Sequence, residues 1–316
     1  MATKVFIDGK EGTTGLRIYD RLSGRGDVTL LTLPEELRKD PKSRQECLHE
    51  AELAILCLPD AAARESVALS EGSRVRILDT STAHRTQPGW AYGFPELSAA
   101  HREAVIAGNR VAVPGCHASG FISTVTPLVA AGLIPADALL TCFSLTGYSG
   151  GGKKMIAQYE AGGRDIELDS PRQYGITQQH KHLPEMRHVT GLENAPIFAP
   201  IVADFYSGME VTVPLFRSQL KTGDDPVAEL RQALADHYAG SPVVHVLSAE
   251  ETAAVGGFIG SNNLSGNDGM QLMVTGNAER ILLVSRFDNL GKGSSGAALQ
   301  CLNLMLGCPE TTGLAL

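Results

Sequence analysis

The feature that most constrains the fold is a glycine-rich turn near the start of the chain. Residues 4–8 (KVFID) predict a short strand, 16–22 predict a helix, and Gly9, Gly12 and Gly15 lie between them. Such a turn lets the backbone approach a pyrophosphate, and the helix N-terminus adds N–H groups and a favourable dipole. The G-x-x-G-x-x-G spacing is not the regular G-x-G-x-x-G, so an ordinary α/β turn is the alternative. As cofactor-binding residues in this turn we predict Gly9, Gly12, Thr13, Thr14 and Gly15.

Further strands alternate with helical segments through the first third of the chain. Strands are predicted over 28–33, 53–58 and 75–79, and a helix over 61–69. This alternation is typical of a doubly wound parallel sheet, in which ligands gather at the carboxyl ends of the strands. Pro59, Ser81 and Arg85 follow such ends. Their position makes all three candidates for ligand contacts. Arg85 is a candidate for binding an anion, and an ordinary surface residue is the alternative.

The end of the second predicted strand bears on the choice of dinucleotide. An NAD site usually places an acidic residue there to hold the ribose 2′-hydroxyl. This strand instead ends near Thr32, and the cations Arg38 and Lys39 follow among acidic residues. A hydroxyl and nearby cations suit a 2′-phosphate, so the sequence favours NADP. The alternative is that Arg38 and Lys39 belong to an ordinary solvated helix face.

A cysteine follows the next strand. Residues 111–113 predict a buried strand, Pro114-Gly115 a turn, and 121–131 a helix, so Cys116 lies where that helix begins. The positive end of a helix dipole favours the thiolate, which is the nucleophilic form of cysteine. The alternative is a structural cysteine, because free cysteines are commonly buried.

A second glycine-rich turn follows a predicted strand over 139–145. The turn contains Ser149, Lys153 and Lys154 and precedes a short predicted helix. Backbone N–H groups and a lysine can bind a phosphate there. Position 154 is Lys rather than Ser or Thr after a G-K pair, so this is not the ATP-binding P-loop.

Two histidines lie close together further along the chain, His180 and His182, in the segment QHKHLPEM. No third ligand is near in sequence, so we expect no metal site. A histidine acting as acid and base is the stronger interpretation, because its ordinary pKa lies near neutrality. Surface histidines in a loop are the alternative.

The remainder of the chain is rich in predicted strands, with one amphipathic helix over 227–238. This indicates an α+β layer whose open sheet would pack against another subunit, in a homodimer or homotetramer. Asn289 precedes the final helix, over 297–306, which we expect to pack on the first domain, with Asn289 reaching the nicotinamide amide. The predicted domains are therefore a dinucleotide-binding domain of 1–115 and 290–316, and a catalytic and oligomerisation domain of 116–289.

Composition excludes several classes of protein. The net charge of −8 makes the chain a poor nucleic-acid binder, and no apolar run approaches the length of a membrane span. The six cysteines are scattered and the N-terminus lacks an apolar leader. This pattern fits free thiols in a reducing compartment, so we expect a cytoplasmic protein without membrane or nucleic-acid partners. A dinucleotide turn, a nucleophilic cysteine and a downstream histidine together point to thioester chemistry with hydride transfer.

The motifs also carry a resemblance that covers nearly the whole chain. IDGKEGTTGLRIYDRL, DTSTAHR, VAVPGCHASG, GYSGGGKKMI, HKHLPEM and DNLGKGSSGAALQCLNLMLG occur in the order and spacing of N-acetyl-gamma-glutamyl-phosphate reductase, and the chain is most similar to its shorter variety. It departs from many relatives at Lys10 and Glu11 in the first turn.

The resemblance implies a reaction and a role for each matching residue. N-acetyl-glutamyl 5-phosphate would be reduced by NADPH to N-acetylglutamate 5-semialdehyde and phosphate, in arginine biosynthesis. Cys116 would form the thioester, and His182, rather than His180, would be the acid and base. The implied substrate or phosphate contacts are Arg85, Ser149, Lys153, Lys154 and His180, and the implied cofactor contacts include Pro59, Ser81 and Asn289.

Three other functions stay open at this point. An aspartate-semialdehyde dehydrogenase would share the architecture and the Cys/His pair. A Cys-His hydrolase would use no cofactor, which the N-terminal glycine turn argues against. A dinucleotide-binding protein without turnover would keep the turn but make no use of Cys116.

Overall fold

The structure is a computed structural model that describes residues 2–316, and the chain forms two compact units. Unit 1 contains the chain up to Pro114 and the segment Ser294–Leu314. Unit 2 contains Gly115–Gly293 and Ala315–Leu316. The chain therefore passes into unit 2 after Pro114, returns to unit 1 at Ser294, and ends with two residues assigned to unit 2.

Unit 1 is built from alternating strands and helices. In chain order they are β1 (Thr3–Asp8), α1 (Thr13–Leu22), β2 (Val28–Leu31), α2 (Pro41–Glu50), β3 (Leu53–Leu56), α3 (Asp60–Leu69), β4 (Arg76–Asp79), β5 (Ala91–Tyr92), α4 (Ala99–Ala107) and β6 (Arg110–Ala112). The six strands form one parallel sheet in the order β2-β1-β3-β4-β6-β5.

The strand order reverses between β1 and β3. From β1 the chain moves outwards to β2, whereas β3, on the other side of β1, leads outwards to β4. In open α/β sheets the crevice at the carboxyl ends of the strands at such a reversal is where ligands bind. The glycine turn after β1 and the segment Cys57–Pro59 after β3 both lie at this edge.

Unit 2 contains a mixed sheet and several helices. In chain order its elements are α5 (Cys116–Ala130), β7 (Thr141–Gly147), α6 (Gly152–Glu160), β8 (Arg172–Gln173), α7 (Leu183–Thr190), β9 (Ile197–Ala203), β10 (Met209–Phe216), α8 (Pro226–His237), β11 (Val244–Val246), α9 (Ala249–Ala254), β12 (Met270–Gly276) and β13 (Arg280–Phe287). The sheet order is β11-β12-β13-β10-β7-β9-β8.

The two faces of this sheet differ in exposure. Side chains on one face, such as Val211 and Leu283, are buried and face α5 and α8. By register, the opposite face carries Phe143, Ile197 and Phe216, and these apolar side chains are exposed. An exposed apolar sheet face of this kind is typical of a subunit interface.

Helix α5 is the central helix of unit 2. It is apolar almost all round and packs against β10, β13, α7 and α8. Gly120 allows the close approach to the sheet, because a Cβ there would lie 2.4 Å from Val211 Cγ2. The sequence predicted a helix only from residue 121, but α5 begins at Cys116 and continues through Pro127. The nucleophile candidate is therefore part of a helix that is fixed by packing.

The last helix, α10 (Gly296–Leu306), belongs to unit 1 and packs against α4 and β4. A π-helical turn over Gly291–Ser295 precedes it. These observations confirm the predicted fold class, which is a Rossmann-like parallel sheet, an α+β unit and a C-terminal helix returning to the first. Within residues 2–316, no helix is long and apolar enough to cross a membrane.

The sequence interpretation missed four helices, α2, α4, α7 and α9. Helix α2 is strongly charged, and its contacts with the rest of unit 1 include a buried ion pair between Arg44 and Asp8 that an apolar pattern does not reveal. The segment 161–177, for which no element was predicted from the sequence, contains the short strand β8 and one 3-10 turn. These elements are fixed by tertiary contacts rather than by local periodicity.

Candidate active site

Cys116 is the first residue of α5, and residues from other parts of unit 2 pack closely around the start of this helix. Gly115 is the N-cap, and no side chain caps the helix. The Gly115 N–H instead donates to Glu185 Oε1 of α7 at 2.8 Å, and Glu185 is buried. Gly293 lies against the cysteine, since a Cβ there would be 3.0 Å from Cys116 Cβ. Glu185 and Gly293 thus fix the backbone at the start of α5, where the dipole favours a thiolate.

His117 follows the cysteine and points into the interior. Its Nδ1 lies 2.6 Å from Ser144 Oγ on β7, and its Nε2 lies 2.5 Å from the Tyr174 hydroxyl. Burial lowers the pKa of His117 to about 3, with smaller contributions from His180 and Lys181. The imidazole is therefore neutral near pH 7 and links two hydroxyl groups.

The two predicted histidines join this cluster. The rings of His180 and His182 lie 5.8 Å and 5.5 Å from the His117 ring, and 4.7 Å from each other. His182 is the N-cap of α7, and its N–H donates to His180 Nδ1 at 3.2 Å. Burial, and then Lys181, lowers the pKa of His180 to about 4. The structure thus brings three histidines together beside the start of α5.

In unit 1 the glycine turn is tightly packed at the sheet reversal. Gly9 has φ +86°, and a Cβ on it would lie 2.4 Å from the Cys57 carbonyl oxygen after β3. Gly15 is packed against the same turn, because a Cβ there would lie 2.5 Å from the Gly9 carbonyl oxygen. A side chain at Gly9 would push the turn away from the segment after β3, and a side chain at Gly15 would push α1 away from the turn.

The start of α1 has the properties of a phosphate site. Gly12 is the N-cap and gives the helix no side-chain cap, so its first N–H groups face no local acceptor side chain. Among the described residues, the buried Thr13 Oγ1 has no hydrogen-bond partner. A buried hydroxyl of this kind needs a partner. A dinucleotide pyrophosphate would supply one, so this turn fits the cofactor predicted for it.

The other predicted residues of unit 1 have defined partners. Ser81 donates to Asp79 at the end of β4, and the same carboxylate holds His84, which stacks on Trp90. Arg85 donates to the carbonyl oxygens of Val113 and Thr80. The loop after β4 is therefore rigidly held. Pro59 is exposed at the N-cap of α3.

The chain is similar in sequence to known proteins over nearly its whole length. The chain is 46% identical over 310 residues to N-acetyl-gamma-glutamyl-phosphate reductase of Rhizobium meliloti (strain 1021), covering 97% of this chain and 99% of the relative. It is 44% identical to the enzyme of that name from Trichormus variabilis (strain ATCC 29413 / PCC 7937), covering 98% and 99%. The chain belongs to the N-acetyl-gamma-glutamyl-phosphate reductase family. The predicted resemblance is confirmed.

Other comparisons support the family's architecture. Residues 116–289 match the family model described as semialdehyde dehydrogenase, dimerisation domain. Aspartate semialdehyde dehydrogenase II from Vibrio cholerae has a similar fold, with a TM-score of 0.72 at 14% identity, covering 97% of this chain and 99% of that one. Aspartate semialdehyde dehydrogenase with NADP from Candida albicans gives a TM-score of 0.66 at 16% identity, with the same two shares covered. At these identities the likeness concerns the fold alone.

Several predicted residues of this family member have structural partners within unit 2. Asn289 is buried, its Oδ1 accepts from the Gly208 N–H, and its Nδ2 donates to Ser149 Oγ at 3.0 Å. The Asn289 amide therefore joins the segment after β13 to the glycine turn after β7 and to the residue before β10. Lys153 and Lys154 are exposed in the first turn of α6. Within residues 2–316, no group of three or more His, Cys, Asp or Glu side chains is arranged to hold a metal ion.

Sequence reasoning missed four polar side chains around Cys116. His117, Ser144 and Tyr174 form one hydrogen-bonded chain, and Glu185 binds the N-cap of α5. Two signals were present in the sequence. His117 is adjacent to the cysteine, and Glu185 belongs to the same H-x-P-E segment as His182. Ser144 and Tyr174 carried no local signal, because only the sheet brings them to the site.

Proposed function

We propose that this chain catalyses the NADPH-dependent reduction of N-acetyl-glutamyl 5-phosphate to N-acetylglutamate 5-semialdehyde and phosphate, in arginine biosynthesis. The observation that carries the proposal is the position of Cys116 as the first residue of α5, in a chain 46% identical to relatives of that name. An oxidoreductase of this kind needs a nucleophile at the acyl carbon, and the uncapped start of α5 provides it.

In the first step Cys116 attacks the acyl carbon. The sulfur–carbon bond forms, the bond from that carbon to the phosphate oxygen breaks, and phosphate leaves with the electron pair. The thiol proton passes to His182. The start of α5 favours the anionic sulfur, and Glu185 keeps the Gly115 backbone in place during the attack.

His182 then serves the second half of the reaction. It donates its proton to the oxyanion that hydride addition leaves on the thioester carbon, which gives the thiohemiacetal. When the carbon–sulfur bond breaks, His182 takes that proton from the hydroxyl and passes it to the departing sulfur, so the aldehyde is released and the Cys116 thiol is restored. His180 suits this role less well, because its pKa is lowered to about 4 and its Nδ1 already accepts from the His182 N–H. We therefore assign His180 to substrate contacts.

Unit 1 would hold the cofactor. Gly9, Gly12 and Gly15 shape the turn, and Thr13, Thr14 and the first N–H groups of α1 would bind the pyrophosphate, with Pro59 and Ser81 nearby on neighbouring strand ends. Bound NADPH would supply the hydride that reduces the thioester carbonyl. NADP is favoured over NAD by Arg38 and Lys39 after β2, both of them exposed.

Cationic and hydroxyl side chains would bind the anionic groups of the substrate. The family resemblance assigns this role to Arg85, Ser149, Lys153 and Lys154. Arg85 is held by two backbone carbonyls, which fixes its direction, whereas the two lysines are exposed and can adapt. A small-molecule acyl phosphate would gain charge neutralisation from such a set.

We further propose a homodimer or homotetramer formed through the exposed apolar face of the unit 2 sheet. The face carries Phe143, Ile197 and Phe216, and residues 116–289 match a dimerisation domain family. Light scattering at micromolar concentration would contradict the oligomer if it gave the monomer mass.

We place the enzyme in the cytoplasm, since all six cysteines are free, as expected in a reducing compartment.

The direct test runs the reaction in reverse with purified protein. N-acetylglutamate 5-semialdehyde, phosphate and NADP⁺ should give NADPH absorbance, and NAD⁺ should be a poorer oxidant. Aspartate semialdehyde is the decisive competitor, because the fold is shared with enzymes of that name. Activity with the aspartate compound alone would overturn the proposal. Calorimetry with NADP⁺ separates the remaining alternatives, since a cofactor-free hydrolase would bind none and a binding protein would bind without turnover.

A further inference from the structure

The segment that carries His180 and His182 is attached to the sheet at an unusual place. Strand β8 pairs antiparallel with β9, and the pairing ends with the Tyr174 N–H donating to the Pro200 carbonyl at 3.0 Å. Pro200 has no N–H to return the bond, and the chain turns away at Gly175, where φ is +61°. The next position of β9 on this edge is Phe198. Its N–H and C=O would have no strand partner.

Gln178 supplies that partner with its side chain. Its Nε2 donates to the Phe198 carbonyl at 2.8 Å, and its Oε1 accepts from the Phe198 N–H at 2.9 Å. A primary amide is the side-chain group that offers a donor and an acceptor side by side, as a peptide does. One side chain thus replaces a residue of a neighbouring strand.

The backbone at Gln178 indicates that this arrangement is imposed by its surroundings. Gln178 has φ +56°, and within residues 2–316 it is the one residue other than glycine with a positive φ. L-residues adopt this conformation at an energetic cost, and such outliers persist where neighbouring contacts fix them. The turn bond from the Gln178 N–H to the Gly175 carbonyl and the two amide bonds are those contacts.

The two hydrogen bonds between the Gln178 amide and Phe198, called the clamp below, lie next to residues of the candidate active site. The ring of Phe198 lies 5.0 Å from the His180 ring and 5.3 Å from the His117 ring. His180 is two residues after Gln178 and accepts the His182 N–H. The hydrogen bonds between Gln178 and Phe198 therefore attach the segment 178–182 to the sheet edge. They hold Gln178 at the start of this segment and keep the Phe198 ring beside His180.

We propose that Gln178 is a positioning residue whose side-chain amide pairs with Phe198 in place of a strand and so holds the segment carrying His180 and His182. It touches no reacting group. The inference rests on the proposed function only in that His182 is the acid and base; the pairing of Gln178 with Phe198 is independent of it.

The activity test uses matched variants. Gln178→Ala should lower kcat by about 10- to 100-fold, the size expected for a misplaced catalytic group, and change KM for NADPH less than about 2-fold. Gln179→Ala is the control, because Gln179 is an exposed neighbour of the same type. Gln178→Gly should be as inactive as Gln178→Ala but more thermostable, because glycine accepts a positive φ. Wild-type kcat in either Gln178 variant would overturn the proposal.

A charge variant gives a readout that a general loss of packing would not. In Gln178→Glu the carboxylate repels the Phe198 carbonyl, whereas the protonated acid offers a donor and an acceptor as the amide does. Its kcat relative to wild type should therefore rise as the pH falls from 8 to 5. Dividing by the wild type cancels the titration of neighbouring His180 and other groups. A ratio that stays flat with pH would contradict the clamp.

Hydrogen exchange separates this proposal from the proposed function. The Phe198 amide should exchange at least about 10-fold faster in Gln178→Ala than in wild type or Gln179→Ala, because its acceptor is gone. This measurement needs no substrate. If the wild type lacks the reductase activity, the proposed function fails while faster exchange still supports the clamp. Unchanged exchange at Phe198 would overturn the clamp whatever the activity.

Discussion

Two helices in this chain begin in nearly the same way and serve different purposes. Helix α1 of unit 1 and α5 of unit 2 each follow a strand and a turn, and each has a glycine N-cap, which has no side chain to accept from the first N–H groups of the helix. Both therefore present the positive end of a helix dipole without a local counter-charge from a capping side chain.

The difference lies in what surrounds the first residue of each helix. At α1 the first residue is Thr13, with an unpartnered buried hydroxyl, beside a turn narrowed by Gly9 and Gly15. At α5 the first residue is Cys116, the N-cap N–H is bound by Glu185, and three histidines lie alongside. An uncapped helix start favours an anion in general, because its free N–H groups and its dipole both attract negative charge. Its neighbours decide whether the anion is a bound phosphate or a thiolate.

Removing the thiol should give the largest effect, and it should affect catalysis at α5 while leaving cofactor binding at α1 intact. Cys116→Ser is expected to lower the reductase activity by about 10³-fold or more, because a serine hydroxyl is a far weaker nucleophile at neutral pH. NADP⁺ affinity, measured by calorimetry, should stay within about 2-fold, since α1 is untouched. Cys47→Ser is the control, because Cys47 lies in α2 of unit 1. Near-normal turnover of the Cys116 variant would remove this residue from the mechanism.

The second largest effect is expected from replacing one of the two histidines beside α5, and the two replacements should differ in their effect on kcat. His182→Asn is expected to cost about 10²- to 10⁴-fold in kcat, the usual contribution of a general acid and base. His180→Asn should cost less than about 10-fold, because asparagine can still accept the His182 N–H. Steady-state kinetics of both variants decides between them. A larger loss in the His180 variant would reverse the assignment.

Much of the fold was predictable because its elements are locally encoded. The buried strand β3 is a continuous apolar run, as parallel strands covered on both faces are, and it lies within the predicted strand over 53–58. Helix α7 was missed since its apolar residues are few and Pro184 occupies its first turn. Helix α2 depends on the pairing of Arg44 with Asp8, which lies 36 residues away. Such an element is specified by a distant partner, which a local pattern cannot contain.

The candidate site divides in the same way. Cys116 and His182 are candidates because a turn and a motif mark them in the sequence. Ser144 and Tyr174 were missed, since they reach His117 only through the order of strands β7, β9 and β8. Asn289 was recognised as a polar residue before the last helix, but its partners Gly208 and Ser149 could not be predicted. The spacing of motifs along the chain marks the candidate reactive side chains. Which polar side chains lie next to them depends on the order of the strands in the sheet.

The smallest expected effect tests the α1 side of the comparison. Thr13→Val keeps the shape of the side chain and removes the buried hydroxyl that has no partner in the described structure. If that hydroxyl binds the dinucleotide phosphate, NADP⁺ affinity should fall about 5-fold, which corresponds to ~1 kcal/mol for one hydrogen bond. Alkylation of Cys116 by iodoacetamide in the absence of cofactor should be unchanged. Thr29→Val on β2 is the matched control, because Thr29 is exposed and lies outside the turn. Tighter NADP⁺ binding by Thr13→Val would mean that the hydroxyl is merely buried at a cost, and that the backbone of α1 alone meets the phosphate.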